Sequence, residues 1–198
     1  LMYRLMRRLE QRALRTADGV IGLMPGVPQY AADMYGWALT DFAYVPNGIR
    51  VTAERWDTPV PTRRGSVVYS GGFARAHGMG AVIDAAGVLQ AAAAPVDLTL
   101  YGDGIERAAL ERRVEREQLA NVHFGGLVPK ADLPDLLAEA EICICTGSSL
   151  PVHRYGISFN KLFDYFYAAK PIVFAVDSGN NPVAAASAGM TVPAEDGT

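Results

Sequence analysis

From residue 66 onward, short apolar runs alternate with stretches whose apolar residues recur every three or four positions. The runs Val67–Ser70, Asp97–Tyr101, Asn121–Phe124, Ile142–Cys145, Ile172–Val176 and Met190–Val192 predict strands. Between them, Met79–Ala92, Ile105–Leu119, Ala131–Ala140, Asn160–Ala169 and Asn181–Ala188 predict helices. Strands spaced by helices of this length form βαβ units and a parallel sheet covered on both faces. Right-handed crossovers wind such units into a doubly wound, Rossmann-like α/β domain. Ligands of these sheets bind beyond the carboxyl ends of the strands, so the loops after each strand are where chemistry is expected.

Residues 1–60 follow another pattern. Leu1–Thr16 predicts a basic amphipathic helix, Gly19–Met24 a short strand, Pro28–Tyr35 a helix and Phe42–Val45 a strand, followed by Pro46-Asn47-Gly48. Arg50–Arg64 holds few apolar residues and two prolines, which predicts a connection. The expected organisation is a first piece at 1–48, a connection at 49–65 and a domain at 66–198. Neither Leu1 nor Thr198 reads as a natural terminus, so the chain is expected to be an excised piece of a longer protein.

Composition narrows the function classes. Half of the residues are hydrophobic and a fifth are charged, which is globular rather than disordered composition. The net charge of −3 argues against a general nucleic-acid binder. No apolar run is long enough to cross a bilayer, and no secretory signal stands out. Cys143 and Cys145, the two cysteines, lie two apart on one predicted strand, a poor geometry for a disulfide. Buried thiols in a reducing cytoplasm are the expectation.

Four loops are candidates for ligand binding. After the first strand of the 66–198 domain, Gly71 and Gly72 permit close backbone approach, and Arg75 and His77 offer donors to an anionic oxygen. The second strand ends in Gly102-Asp103-Gly104, two-thirds of a dinucleotide fingerprint with Arg107 at the third glycine position and no ribose acid after the next strand. The third is followed by Gly125-Gly126-Leu127-Val128-Pro129-Lys130, a backbone edge suited to a flat base. The fourth leads through Arg154 and Gly156-Ile157-Ser158 to a helix starting near Asn160, with Ser158 as the expected N-cap. Leu162, Phe163, Phe166 and Tyr167 are expected to pack that helix on the sheet. Asn160, Lys161 and Asp164 share another side near its start. Exposed N–H groups and Lys161 suit phosphate oxygens, and Asp164 suits ribose hydroxyls; each loop also reads as a plain turn or a capped helix.

No carboxylate pair, Ser/His/Asp arrangement or metal-ligand spacing stands out, and no D-x-D anchors a divalent ion. Metal-independent binding without a cofactor is the expectation. His123 lies within a predicted strand and reads as structural.

Taken in order, Tyr44-Val45-Pro46-Asn47-Gly48-Ile49, Tyr69-Ser70-Gly71-Gly72, Leu100-Tyr101-Gly102-Asp103-Gly104, Asn121 to Lys130, and Leu162 to Val173 resemble the retaining glycosyltransferases of family 4, which have the GT-B fold. The resemblance implies a GT-B C-terminal domain that holds a nucleotide-sugar donor, preceded by the remnant of an N-terminal, acceptor-side domain. It implies Gly71, Gly72, Arg75, His77, Gly102, Gly104, Gly126, Leu127, Val128, Gly156, Ile157, Ser158, Asn160, Lys161, Leu162 and Asp164 as the donor-binding set. Asp164 stands where the family has the second glutamate of its E-x7-E motif. Gly156 stands where it has the first, so backbone groups from Gly156 to Phe159 are expected to meet the sugar instead. Gly72 and His77 replace the usual arginine and lysine after the first strand, and Arg75 and Lys161 are the candidates to compensate.

The run from Gly156 to Asp164 is similar to a subgroup that builds bacterial surface polysaccharides, often from amino sugars carried on UDP. The implied partners are a nucleotide-sugar donor and a glycan or lipid-linked acceptor, with a cytoplasmic location. The catalytic residues are expected in the part of the N-terminal domain that is not here, so this piece is expected to bind nucleotide without transferring sugar. The arginines of Leu1–Arg15 suit either a peripheral membrane contact or an inter-domain helix covered by protein, of which the second is preferred. The alternatives to a transferase are a UDP-sugar 2-epimerase of GT-B fold, a non-catalytic nucleotide-sugar-binding module and, third, an NAD-dependent oxidoreductase.

Overall fold

The computed structural model describes residues 1–51 and 60–197. The expected connection at 49–65 therefore lies partly outside the described residues, at 52–59. The chain divides into two compact units. One comprises Leu1–Asn47, Val152–Ser158 and Ser178–Asn180, the other Gly48–Pro151, Phe159–Asp177 and Asn181–Thr198.

In the first unit, α1 (Met2–Thr16) leads to β1 (Val20–Gly22), α2 (Val27–Tyr35) and β2 (Phe42–Tyr44), and the two strands pair in parallel. Pro28 sits in the first turn of α2, where its missing N–H removes no helical bond, and Gly36 ends the helix in the left-handed region at φ 74°. Residues 152–158, which follow Pro151 through most of a 3₁₀ turn at Pro151–Tyr155, are tied to α2. The Gly26 N–H donates to the Tyr155 carbonyl at 2.8 Å, and the Tyr155 hydroxyl donates to Asp33 at 2.8 Å. A side chain at Gly26 would stand 2.4 Å from that carbonyl oxygen.

The second unit is a six-stranded parallel sheet, made of β3 (Ser66–Ser70), β4 (Asp97–Tyr101), β5 (Val122–Gly126), β6 (Ile142–Thr146), β7 (Ile172–Ala175) and β8 (Gly189–Val192). The spatial order is β5-β4-β3-β6-β7-β8. Its helices are α3 (Met79–Ala91), α4 (Arg107–Arg116), α5 (Leu133–Glu139), α6 (Asn160–Tyr167) and α7 (Pro182–Ala185). The order reverses between β3 and β6, which places a topological switch point at their carboxyl ends. Tyr69, Leu98 and Leu100 on the strands form one core with Met79, Val82 and Ile83 of α3 and Leu110 of α4. Each such fully buried aliphatic side chain contributes roughly 1.5–3 kcal/mol.

The strands were predicted to within two residues, and the helices less sharply at their ends. One expectation about packing is corrected. The buried face of α6 is Leu162, Asp164, Tyr165 and Tyr167, while Phe163 and Phe166 are only partly buried. Tyr165 is drawn inward because β3 and β6 pair only at Val67–Ile142 and Val68–Cys143 and then part. Its hydroxyl accepts from the Ser70 N–H at 2.8 Å and donates to the Ile144 carbonyl at 3.1 Å, satisfying backbone groups that the ladder leaves open. Cys143 and Cys145 are free and buried, with burial pushing both thiols up to about 12.

Candidate functional site

Beyond the strands, the loops after β3, β4 and β5 continue to hydrogen-bond with one another. The Gly71 N–H donates to the Tyr101 carbonyl at 3.0 Å, Phe73 to Asp103 at 2.9 Å, Glu106 to Phe73 at 3.0 Å and Gly102 to Gly126 at 2.7 Å. The glycines at 102 and 104 are explained by this packing. Gly102 has φ 139°, and a Cβ there would fall 1.8 Å from the Gly71 oxygen; one at Gly104 would fall 2.4 Å from the Phe73 oxygen. The spacing that mimics a dinucleotide fingerprint therefore arises from loop-to-loop contact. Gly126 differs: its φ is 72° and a Cβ would meet nothing within 4 Å.

Lys161, in the first turn of α6, reaches back to the loop after β3. Its ammonium donates to the Tyr69 hydroxyl at 2.8 Å and lies 4.1 Å from the centre of that ring. A Cβ at Gly71 would stand 2.9 Å from Nζ, so the glycine leaves room for the ammonium. No carboxylate among the described residues pairs with Lys161. Burial pushes its pKa down to about 8. The result is a desolvated cation at the carboxyl edge of the sheet.

His77 closes a 3₁₀ turn at Arg75–His77, and its Nδ1 accepts from the Ala74 N–H at 3.4 Å. Burial, then the nearby Lys161 charge, hold this imidazole below its ordinary pKa. A Cβ at Gly72 would stand 3.1 Å from its ring, so His77 packs over the glycine loop. Arg75 is exposed, while its carbonyl accepts from the Ser148 hydroxyl at 2.6 Å.

Asp164, one turn into α6, is buried and ion-paired through Oδ1 with the exposed Lys130. Lys130 follows Gly126, Leu127 and Val128 in the loop after β5. Leu127 is largely exposed there. Asn160 is exposed and Leu162 buried. The structure thus points Lys161 and Asp164 toward different loops, one toward β3 and the other toward β5. Lys130 and Tyr69, their partners, are the residues that sequence reasoning did not assign to them.

Gly156, Ile157 and Ser158 fall in the first unit, and two expectations about them are corrected. The residue at the N-cap of α6 is Phe159, with no side-chain cap. The Ser158 hydroxyl instead accepts from the Asn47 N–H at 2.9 Å, and the Asn47 side-chain amide donates to the Ser158 carbonyl at 2.7 Å. Two of the expected backbone donors are also engaged: the Gly156 N–H donates to the His153 carbonyl at 2.8 Å and the Ile157 N–H to Asn180 Oδ1 at 2.7 Å. Gly156 has φ 110°, with Pro25 Cδ 2.7 Å from where a Cβ would lie, so an acidic side chain has no room in this conformation.

Residues 64–198 match the family model for glycosyl transferases group 1. The chain belongs to this family. Its fold is that of solved GT-B glycosyltransferases. Sucrose-phosphate synthase from Thermosynechococcus elongatus aligns with a TM-score of 0.73 at 20% identity, over 98% of this chain and 50% of that one. HepE from Anabaena, in complex with UDP and glucose, aligns with a TM-score of 0.71 at 18% identity, over 96% and 54%. The C-terminal domain of LpcC, a glycosyl transferase group 1 family protein from Francisella tularensis, aligns with 0.54 at 15% identity, over 76% and 78%. This glycosyl transferase chain thus spans about half the length of the first two structures. No curated protein matches the sequence. Among the described residues, no helix is long and apolar enough to cross a membrane.

Proposed function

We propose that this glycosyltransferase chain binds a nucleoside diphosphate sugar, with UDP as the carrier, at the carboxyl edge of the second unit. The observation that carries the reading is the desolvated Lys161 ammonium beside Gly71, with no carboxylate among the described residues to neutralise it. Burying an unpaired charge is costly, and a diphosphate supplies the missing counter-charge. The N–H groups at the start of α6 and the exposed Arg75 add donors on the same unit. Asp164 accepts from the ribose hydroxyls, and the main chain at Gly126, Leu127 and Val128 meets the base.

In the whole protein, the sugar passes with retention of configuration, without a metal, to a glycan or lipid-linked acceptor in the cytoplasm, in the manner of family 4. Hexose and N-acetylhexosamine are the sugar classes of this reading. Residues 66–198 are the donor domain and 1–48 belong to the acceptor side. A lipid-linked acceptor would bring the whole protein to the inner face of the membrane. The chain spans half the length of comparable enzymes, in keeping with nucleotide binding without sugar transfer by these residues alone.

Calorimetric titration with UDP, GDP, ADP and NAD tests the proposal. UDP is expected to bind tightest, and tighter binding of NAD overturns the reading. Asp164→Ala is expected to weaken UDP by about tenfold or more, the usual scale for a charge-assisted hydrogen bond. Glu141→Ala leaves binding unchanged, because Glu141 accepts from the Gly65 N–H at the opposite, amino end of β6.

A further inference from the structure

Asp164 presents an unusual balance of burial and partners. Its carboxylate sits on the buried face of α6, where Leu162 and Tyr165 are its helical neighbours. Among the described residues Oδ1 takes the Lys130 ammonium and no donor reaches Oδ2. Lys130 is 71% exposed at its side chain against 9% for Asp164, so the ammonium approaches from the solvent side. The backbone holds it there: the Pro129 carbonyl accepts from the Asp132 and Leu133 N–H groups, turning the chain directly into α5, which packs against α6. A carboxylate gripped by one oxygen has its rotamer fixed and presents the other.

We infer that Lys130 is a positioning residue for ribose recognition, its ammonium holding Asp164 by Oδ1 so that Oδ2 is presented to a hydroxyl pair of the nucleotide. The inference rests on the donor-site reading above. Removing one partner of such a pair leaves a buried charge uncompensated and its side chain free to turn. Lys130 itself needs no contact with the ligand. Its loss is therefore felt through the ribose hydroxyls and not through the diphosphate.

The test is the ratio of affinities for UDP and 2′,3′-dideoxy-UDP, measured by calorimetry on the full chain and its Lys130→Met, Lys130→Arg and Asp164→Asn variants. The native protein is expected to prefer UDP by about tenfold, the scale of a hydrogen bond to a charged group. Lys130→Met and Asp164→Asn lose that preference while keeping the affinity for the dideoxy compound, and Lys130→Arg restores it. A preference unchanged in Lys130→Met overturns the inference alone, as does tighter UDP binding, which would make Lys130 a competitor for Asp164. Failure of the native protein to bind either compound overturns the donor-site reading and the inference together. Because Lys130 is exposed and Asp164→Asn preserves shape, the variants are expected to keep the native circular dichroism spectrum.

Discussion

Lys161 carries opposed consequences for stability and binding. With its folded pKa lowered to about 8 from an ordinary 10.5, the ammonium costs the ligand-free fold below pH 8, and that cost fades as pH rises from 8 toward 10.5. An anion beside the ammonium restores its charge, so UDP affinity is expected to be greatest below pH 8 and to fall above it by up to tenfold per pH unit. Calorimetry at pH 8 in buffers of different ionisation enthalpy should register proton uptake on binding. Lys161→Met is expected to raise the Tm by a few degrees, roughly the scale of one removed unfavourable burial, while weakening UDP and flattening the pH dependence. A flat profile in the native protein would place the diphosphate elsewhere. Lys161 and Asp164 stand out in the sequence as polar residues at the start of one helix, but the shared side expected from their spacing does not hold: one reaches Tyr69 and the other Lys130, because contacts across 92 and 34 residues leave no trace in local periodicity.

At the scale of elements, the loops after β3, β4 and β5 act as one backbone layer, and its glycines divide into two kinds. Gly102→Ala combines a φ of 139° with a Cβ 1.8 Å from the Gly71 oxygen. It is expected to cost about 2–4 kcal/mol, summing backbone strain and displaced packing. Gly126→Ala, with φ 72° and open space, is expected to cost only about 1–2 kcal/mol. Urea midpoints with unchanged slopes would measure both, and equal losses would refute the distinction. The elements themselves were readable because a strand buried on both faces is a short apolar run, while its crossover helix must keep a polar side. The start of α6 was misread because a serine before a helix is a cap only if its hydroxyl turns to the helix. Here the hydroxyl of Ser158 faces Asn47, a partner 111 residues away. The same holds for Ile157, whose N–H and carbonyl are both taken by Asn180, at 2.7 and 3.1 Å. Long-range amide clamps of this kind can use any asparagine, so no motif announces them.

At the scale of the molecule, α1 is the feature that the donor site does not explain. Residues 1–16 hold Arg4, Arg7, Arg8, Arg12 and Arg15 against the single acid Glu10, in a chain whose net charge is −3. Glu10 is occupied by Tyr30 and Tyr35, and the guanidinium of Arg7 lies 5.5 Å from the centre of the Tyr35 ring. That face of α1 is committed to α2. Met2, Leu5, Met6 and Leu9 recur on the helical period along another face, each more than half exposed. A contiguous apolar stripe of this kind marks a covered surface. Protein is the expected cover, since Arg4, Arg8 and Arg12, four residues apart along one side of α1, can also serve carboxylates of a packed domain. The chain is therefore expected to self-associate with rising concentration in sedimentation velocity, and Leu5→Glu with Met6→Glu to return it to a monomer with unchanged UDP affinity. A native chain that stays monomeric and binds vesicles of anionic lipid, releasing them as salt approaches molar levels where the Debye length shrinks to about 3 Å, would assign the stripe to a membrane surface instead.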